Sequence, residues 1–176
     1  MADRKHTHHH ADMLSVEDAR NIILESFNPL ESNDIPAIDS LGLTLAEDLY
    51  STVNIPPFSN SAMDGYAVKA EDITNATQKI PTYLKVVGTI SAGEIPEFTI
   101  TNGYCARIMT GAPLPNGADT IIPFEETTEM DMQNPKYNIK DIGIKAYANI
   151  GSDVRTSGKD VSEGDLILTK GITIKA

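Results

Sequence analysis

The spacing of apolar residues predicts one helix near the start of the chain and short strands after it. Between Leu14 and Phe27 the apolar residues recur at helical spacing, and Ser15 with Asp18 matches a capping box. Asn28-Pro29 is expected to end this helix. Residues 35–38 then predict a strand, and residues 43–50 predict a second strand or a short helix. The opening of the chain is therefore expected to mix α and β structure.

From residue 54 onward the pattern favours β structure. The predicted strands are Tyr83–Ile90, Tyr104–Met109 and Thr120–Phe124, with turns at Ala92-Gly93, Asn102-Gly103 and Asn116-Gly117. The acidic stretch 125–134 predicts a solvated loop, residues 137–144 predict another strand pair, and the regularly spaced glycines after Asn149 predict further short strands.

These elements predict an α+β fold that is mostly β. We divide the chain into a polar tail (1–13), a discontinuous, elongated mixed first domain (14–53 and 148–176) and an inserted, compact β-barrel-like domain (54–147). If the C-terminal segment packs with residues 30–53, then residues 54–147 form a domain that is inserted into the first domain.

Composition narrows the possible functions. The 176 residues are 40% hydrophobic with a net charge of −11, which disfavours nucleic-acid and anionic-membrane partners. No apolar run approaches the roughly 18 residues of a membrane span, and no secretory signal is evident. We expect a cytoplasmic protein. A single cysteine, Cys105, excludes an internal disulfide and is predicted to be a small buried core residue.

All four histidines, His6, His8, His9 and His10, lie in the opening tail. They could form a tag-like or a native metal-binding segment. Because no histidine lies in the rest of the chain, a Cys-His nucleophile is excluded.

Three segments hold the candidate chemistry. In residues 55–68, Asp64-Gly65 predicts a tight turn with glycine at positive φ, close to the oxygens of Asn60 and Ser61. Residues 106–119 contain Thr110-Gly111 at a predicted strand end, where a ligand could approach without a side chain in its way. Each segment could equally be only a turn.

The third segment, residues 151–165, places Arg155, Lys159 and Asp160 among glycines. Arg155 and Asp160 could face a ligand together or form a salt bridge across a turn.

In this order and spacing, the three segments resemble the molybdopterin molybdenumtransferase family, that of bacterial MoeA and the gephyrin E domain. The resemblance runs from about residue 14 to the end. It implies two further domains, a pterin-binding third and a small β fourth, which this chain lacks, so a fragment is expected. It also implies a homodimer, with molybdate and adenylylated molybdopterin as substrates, AMP release and a divalent cation, usually Mg²⁺.

By residue match, the resemblance assigns Asp64, Thr110 and Asp160 to catalysis. Ser61, Gly111 and Arg155 are the expected substrate-binding residues. Asp64 is expected to hold Mg²⁺, Thr110 to donate to a substrate oxygen, and Asp160 to fix Arg155. Arg107 is predicted to be structural. The fragment alone is expected to be inactive.

Two other hypotheses about the function of the chain remain open at this point. The chain could be a stand-alone interaction module, similar to the scaffold role of gephyrin. It could also be a β-rich spacer in which Asp-Gly and Thr-Gly are only turns.

Overall fold

The computed structural model describes residues 13–131 and 140–175. The chain forms two compact units, Met1–Ala46 with Thr173–Ala176, and Glu47–Ile172. No helix among the described residues is long and apolar enough to cross a membrane. The histidines of the tail, residues 132–134 of the predicted loop and the start of the strand pair predicted from residue 137 lie outside the described ranges.

The smaller unit contains the predicted helix. Helix α1 (Val16–Glu25) begins at Ser15, whose Oγ accepts a 3.0 Å bond from the Asp18 amide and donates a 2.7 Å bond to Asp18 Oδ2. This confirms the capping prediction. Residues 35–38 do not form the predicted strand, since Ala37–Asp39 is a 3₁₀ turn. Pro36, directly before it, has no amide hydrogen to donate to a strand partner.

The nine strands of the described residues all lie in the larger unit, and they make the fold mostly β, as predicted. They are β1 (Leu49–Tyr50), β2 (Asn60–Ser61), β3 (Gly65–Val68), β4 (Thr82–Ile90), β5 (Tyr104–Ile108), β6 (Thr120–Pro123), β7 (Asp141–Ile144), β8 (Val154–Arg155) and β9 (Leu166–Leu168). A curled sheet has the order β6-β3-β5-β4-β7. Only β4 and β5 run parallel within it. The three strands predicted between residues 83 and 124 are confirmed.

Strand β3 lies between β5 and β6, and all four of its residues are buried. Tyr66 and Val68 belong to one apolar cluster and Ala67 to another, because successive side chains point to opposite faces of a sheet. Each fully buried isoleucine in these clusters, such as Ile122, stabilises the fold by about 1.5–3 kcal/mol. Cys105 is completely buried, as predicted.

The C-terminal segment pairs with earlier parts of the chain. Strand β9 pairs with β1, and β8 pairs with β2, both antiparallel. Strand β9 therefore packs within the range 30–53 expected for this segment, whereas β8 packs against residues 60–61, outside that range. The predicted domain limits at residues 54 and 147 stay a prediction.

The acidic segment after β6 differs from the predicted solvated loop. Its described part forms two 3₁₀ turns, Phe124–Glu126 and Thr128–Asp131. Glu129 is only 8% exposed, because its carboxylate meets the Arg107 guanidinium in an ion pair.

Candidate functional site

Asp64 lies directly before β3, where the chain passes very close to β6. The carbonyl oxygen of Asp64 accepts a 3.2 Å bond from the Phe124 amide. A Cβ built on Gly65 would lie 2.0 Å from the Ile122 carbonyl oxygen, so only glycine fits. The prediction of positive φ at Gly65 is wrong. Its glycine is required by a close backbone approach within the sheet.

The Asp64 carboxylate is fixed by a single neighbour, Thr110. Its Oδ1 accepts a 2.7 Å bond from the Thr110 amide and a 2.8 Å bond from Thr110 Oγ1. Within residues 13–131 and 140–175, Oδ2 has no hydrogen-bond partner. Two hydrogen bonds lower the pKa of Asp64, and the one from the Thr110 amide has a larger effect than the one from the Thr110 hydroxyl. Burial raises this pKa, and the charge of Arg107 lowers it by a smaller amount. The site therefore presents an ionised, oriented carboxylate with one open oxygen.

Gly111 leaves one side of this carboxylate site open. It has φ of +79°, and a Cβ built there would meet nothing within 4 Å. Its amide donates a 2.9 Å bond to the Ser61 carbonyl. A ligand can approach the backbone here, while a side chain at this position would be strained by the left-handed conformation.

Ser61 does not reach this open side. It is completely buried, and its Oγ donates a 2.5 Å bond to the Met63 carbonyl. Its amide donates to the Ala112 carbonyl at 3.0 Å. The expected role of Ser61 in substrate binding stays a prediction, and its hydroxyl is occupied by the Met63 carbonyl. Ser61 instead holds the turn that leads to Asp64.

The predicted contact between Arg155 and Asp160 is not formed. Arg155 lies on β8 opposite Asn60, and both Arg155 and Asp160 are exposed. The Asp160 amide donates a 2.9 Å bond to the Ile55 carbonyl. The ion pairs of the described residues do not include one between these two side chains. The structure thus brings Asp64, Thr110, Gly111 and Ser61 together but leaves Asp160 without the predicted hold on Arg155.

Sequence reasoning missed the importance of Glu129. Its Oε1 accepts a 3.0 Å bond from Arg107 Nη2, and its Oε2 accepts a 2.6 Å bond from the Tyr66 hydroxyl. The bond to Glu129 raises the pKa of Arg107, and burial raises the pKa of Tyr66. The Arg107 side chain is thus occupied by Glu129 and Met109, and its predicted structural role stays a prediction. Nothing in the sequence marked Glu129 as buried, because an acidic residue within an acidic segment is expected to be a solvated surface residue.

The donor set fits Mg²⁺ only as a partial site. The described residues include no group of three or more His, Cys, Asp or Glu side chains that could hold a metal ion. Mg²⁺ commonly takes one or two protein carboxylates and fills the rest of its shell with water and substrate phosphates. Asp64, with its open Oδ2, fits the role of that single carboxylate.

Fold and site together define a mostly β module that presents one hydrogen-bonded carboxylate beside an open glycine. The family model described as MoeA N-terminal region (domain I and II) matches residues 14–176. The chain belongs to this family.

Relatives and solved structures agree with the family assignment. The chain is 36% identical over 159 residues to molybdopterin molybdenumtransferase 2 of Mycobacterium tuberculosis, covering 90% of this chain and 37% of the relative. It is 42% identical over 129 residues to the molybdopterin molybdenumtransferase of Nostoc, covering 71% and 30%. A molybdopterin biosynthesis MoeA protein of Pyrococcus horikoshii superposes with a TM-score of 0.78 at 29% identity, covering 90% and 40%. The chain thus spans well under half the length of these relatives.

Proposed function

We propose that this chain supplies the N-terminal part of a molybdopterin molybdenumtransferase. The complete protein would insert molybdate into adenylylated molybdopterin and release AMP. The observation that carries the proposal is the Asp64 carboxylate, held by two bonds from Thr110 with its second oxygen open. The names of the relatives support the reaction class.

In this proposal Asp64 is the protein ligand of a divalent cation, Mg²⁺ in the first instance. When bound, the cation would neutralise charge on the substrate phosphates. Asp64 is ionised at neutral pH, as a hard cation requires, and the two bonds from Thr110 hold its pKa below the usual value. Gly111, beside it, leaves room for the anionic substrate.

The role of Thr110 differs from the one first expected. A hydroxyl has one proton, and the Thr110 hydroxyl already donates it to Asp64 Oδ1. Donation to a substrate oxygen would therefore break a bond that orients the carboxylate. We assign Thr110 the role of fixing Asp64 so that Oδ2 faces the cation.

The chain alone is proposed to be inactive. Its net charge of −11 makes it a poor host for molybdate and a nucleotide, both of which are anions. The basic groups that bind them would come from the remainder of the complete protein. Measurable molybdate-dependent AMP release by the isolated chain would contradict this.

We further propose a cytoplasmic homodimer. Several apolar residues in and beside α1 are more than half exposed, namely Leu14, Ile22, Ile23, Leu24 and Phe27. Exposed apolar surface of this kind is commonly covered in an oligomer. Sedimentation of the complete protein tests the dimer, and cell fractionation tests the location.

The function is tested by AMP release from adenylylated molybdopterin, using the product of the complete gene. We expect release to require molybdate and a divalent cation. Asp64→Asn should raise the Mg²⁺ concentration that gives half the maximal rate and leave the molybdate requirement unchanged. An Asp64→Asn protein with the wild-type rate and Mg²⁺ dependence would refute the proposed role of Asp64.

A further inference from the structure

One buried carboxylate joins the two strands that lead to the site. Tyr66 follows Asp64 by two residues in β3, Arg107 precedes Thr110 by three in β5, and the two lie directly opposite each other. Glu129 accepts a bond from each of them, at 2.6 Å from Tyr66 and 3.0 Å from Arg107. Because both strands bond to the same carboxylate, Glu129 limits how far they can slide or separate.

The contact extends from Arg107 towards Thr110. Arg107 Nη1 donates a 3.1 Å bond to Met109 Sδ, and the Met109 amide donates a 3.0 Å bond to the Ile90 carbonyl. Met109 is therefore held through both its side chain and its backbone. Since it directly precedes Thr110, its position sets where the Thr110 amide and hydroxyl lie.

A second path leads from Glu129 back to Asp64. The Glu129 amide donates a 3.1 Å bond to Thr127 Oγ1, which donates a 2.7 Å bond to the Phe124 carbonyl. The Phe124 amide in turn donates a 3.2 Å bond to the Asp64 carbonyl. The contacts thus close a ring that begins at Asp64, passes through Glu129 and returns through Thr110.

We propose that Glu129, Tyr66 and Arg107 are positioning residues, which together hold the Asp64–Thr110 pair in the geometry that the reaction needs. The Arg107–Glu129 ion pair is part-buried, and such a pair is a weak source of net stability compared with apolar packing, so stability alone is a poor account of it here. Misplacing a reacting group by about 1 Å can cost a hundredfold in rate. The effect on turnover rests on the proposed function, while the effect on the geometry of the pair does not.

The geometric part is tested by hydrogen exchange in the complete protein. We compare wild type with Glu129→Gln and with the milder Tyr66→Phe, which removes one hydroxyl and keeps the buried ring. Tyr83→Phe is the matched control, because Tyr83 is an exposed strand tyrosine. Peptides covering residues 109–112 report on the Thr110 amide, and peptides covering residues 102–104 report on the other end of β5.

We expect exchange at the Thr110 amide to rise about tenfold in Glu129→Gln and less in Tyr66→Phe, consistent with loss of one or two bonds to a charged group. Exchange at residues 102–104 should not change, and Tyr83→Phe should match wild type. An equal rise at both ends of β5 would mean that Glu129 only stabilises the sheet. That result, or no rise at Thr110, would overturn the proposal.

The kinetic part uses AMP release. Glu129→Gln should lower kcat about tenfold at a nearly constant KM. In a Thr110→Val background the same change should cost much less, because the pair it positions is already broken. Fully additive losses would overturn the proposal. If the wild-type protein released no AMP, the proposed function would fail, whereas the exchange result would still decide the positioning claim.

Discussion

Replacing Asp64 by asparagine separates the structural from the chemical role of this residue. Asparagine keeps the shape of the side chain, and its carbonyl oxygen can still accept both bonds from Thr110. The variant loses the negative charge and the ability to bind a hard cation strongly. Stability and turnover should therefore respond very differently.

The loss of stability should be small. Charge-assisted hydrogen bonds are about twice as strong as neutral ones, and a neutral bond contributes about 0.5–1.5 kcal/mol. Asp64 and Thr110 both reach solvent, which screens the charge, so we expect about 0.5–1 kcal/mol. Turnover should fall by about a hundredfold or more, as for the loss of a group that stabilises developing charge.

Asp72→Asn is a matched control. Asp72 Oδ2 accepts a 2.9 Å bond from the Gly103 amide, so its carboxylate, like that of Asp64, binds a backbone amide beside one end of β5. Gly103 lies before β5 and Thr110 lies after it. The two amides are therefore separated by more than the length of a five-residue strand, about 17 Å. The same chemical change is thus made beside the opposite end of β5, away from the site.

The assay pairs urea unfolding with AMP release for the complete protein. Both variants should lose a similar, small amount of unfolding free energy, and only Asp64→Asn should lose turnover. If Asp64→Asn kept turnover equal to that of Asp72→Asn, Asp64 would be a turn residue and the reasoning would be refuted. A similar loss of turnover in both would point to a general effect on the sheet.

Four further predictions follow from the same geometry. Thr110→Val should lower turnover while Thr110→Ser, which keeps the hydroxyl, should largely restore it; equal losses in both would contradict the role of that bond. Gly65→Ala should destabilise the protein by about 3 kcal/mol or more in urea, because its Cβ would lie 2.0 Å from the Ile122 carbonyl oxygen. Burial raises the pKa of Cys105 to about 12, so a thiol reagent should label it only after unfolding, and labelling of the native protein would contradict its burial. Hydrogen bonds from Thr110 lower the pKa of Asp64 in the folded state, so its contribution to stability is present above the unfolded pKa and is lost as the pH falls through the folded pKa; Asp64→Asn should not show this loss of stability on acid titration.

The sequence predicted the parts of the fold that depend on local pattern. The capping of α1 by Ser15 and the strands from residue 83 to residue 124 follow from short-range signals, and the structure confirms them. The sequence also led us to expect Asp64 and Thr110 at one site, but only through the family resemblance. Neither spacing nor periodicity brings residues 46 positions apart together.

The parts that could not be predicted depend on contacts made across the sheet. Glu129 is buried because Tyr66 and Arg107 lie opposite each other in the folded protein, and no local pattern encodes that meeting. Gly65 is needed because the backbone of β6 lies against it, and this contact joins residues that are far apart in the sequence. The salt bridge considered between Arg155 and Asp160 is absent from the described residues, since closeness in sequence does not ensure that two exposed side chains meet.

The most direct test of the central claim is complementation of a strain that lacks its own molybdopterin molybdenumtransferase. The complete gene is introduced as wild type or as Asp64→Ala, with immunoblots to show that both proteins accumulate, and activity of a molybdenum-dependent enzyme is measured. We predict that the wild-type gene restores activity and that Asp64→Ala does not. Failure of the wild-type gene would contradict the proposed function, and equal rescue by both genes would contradict the role of Asp64.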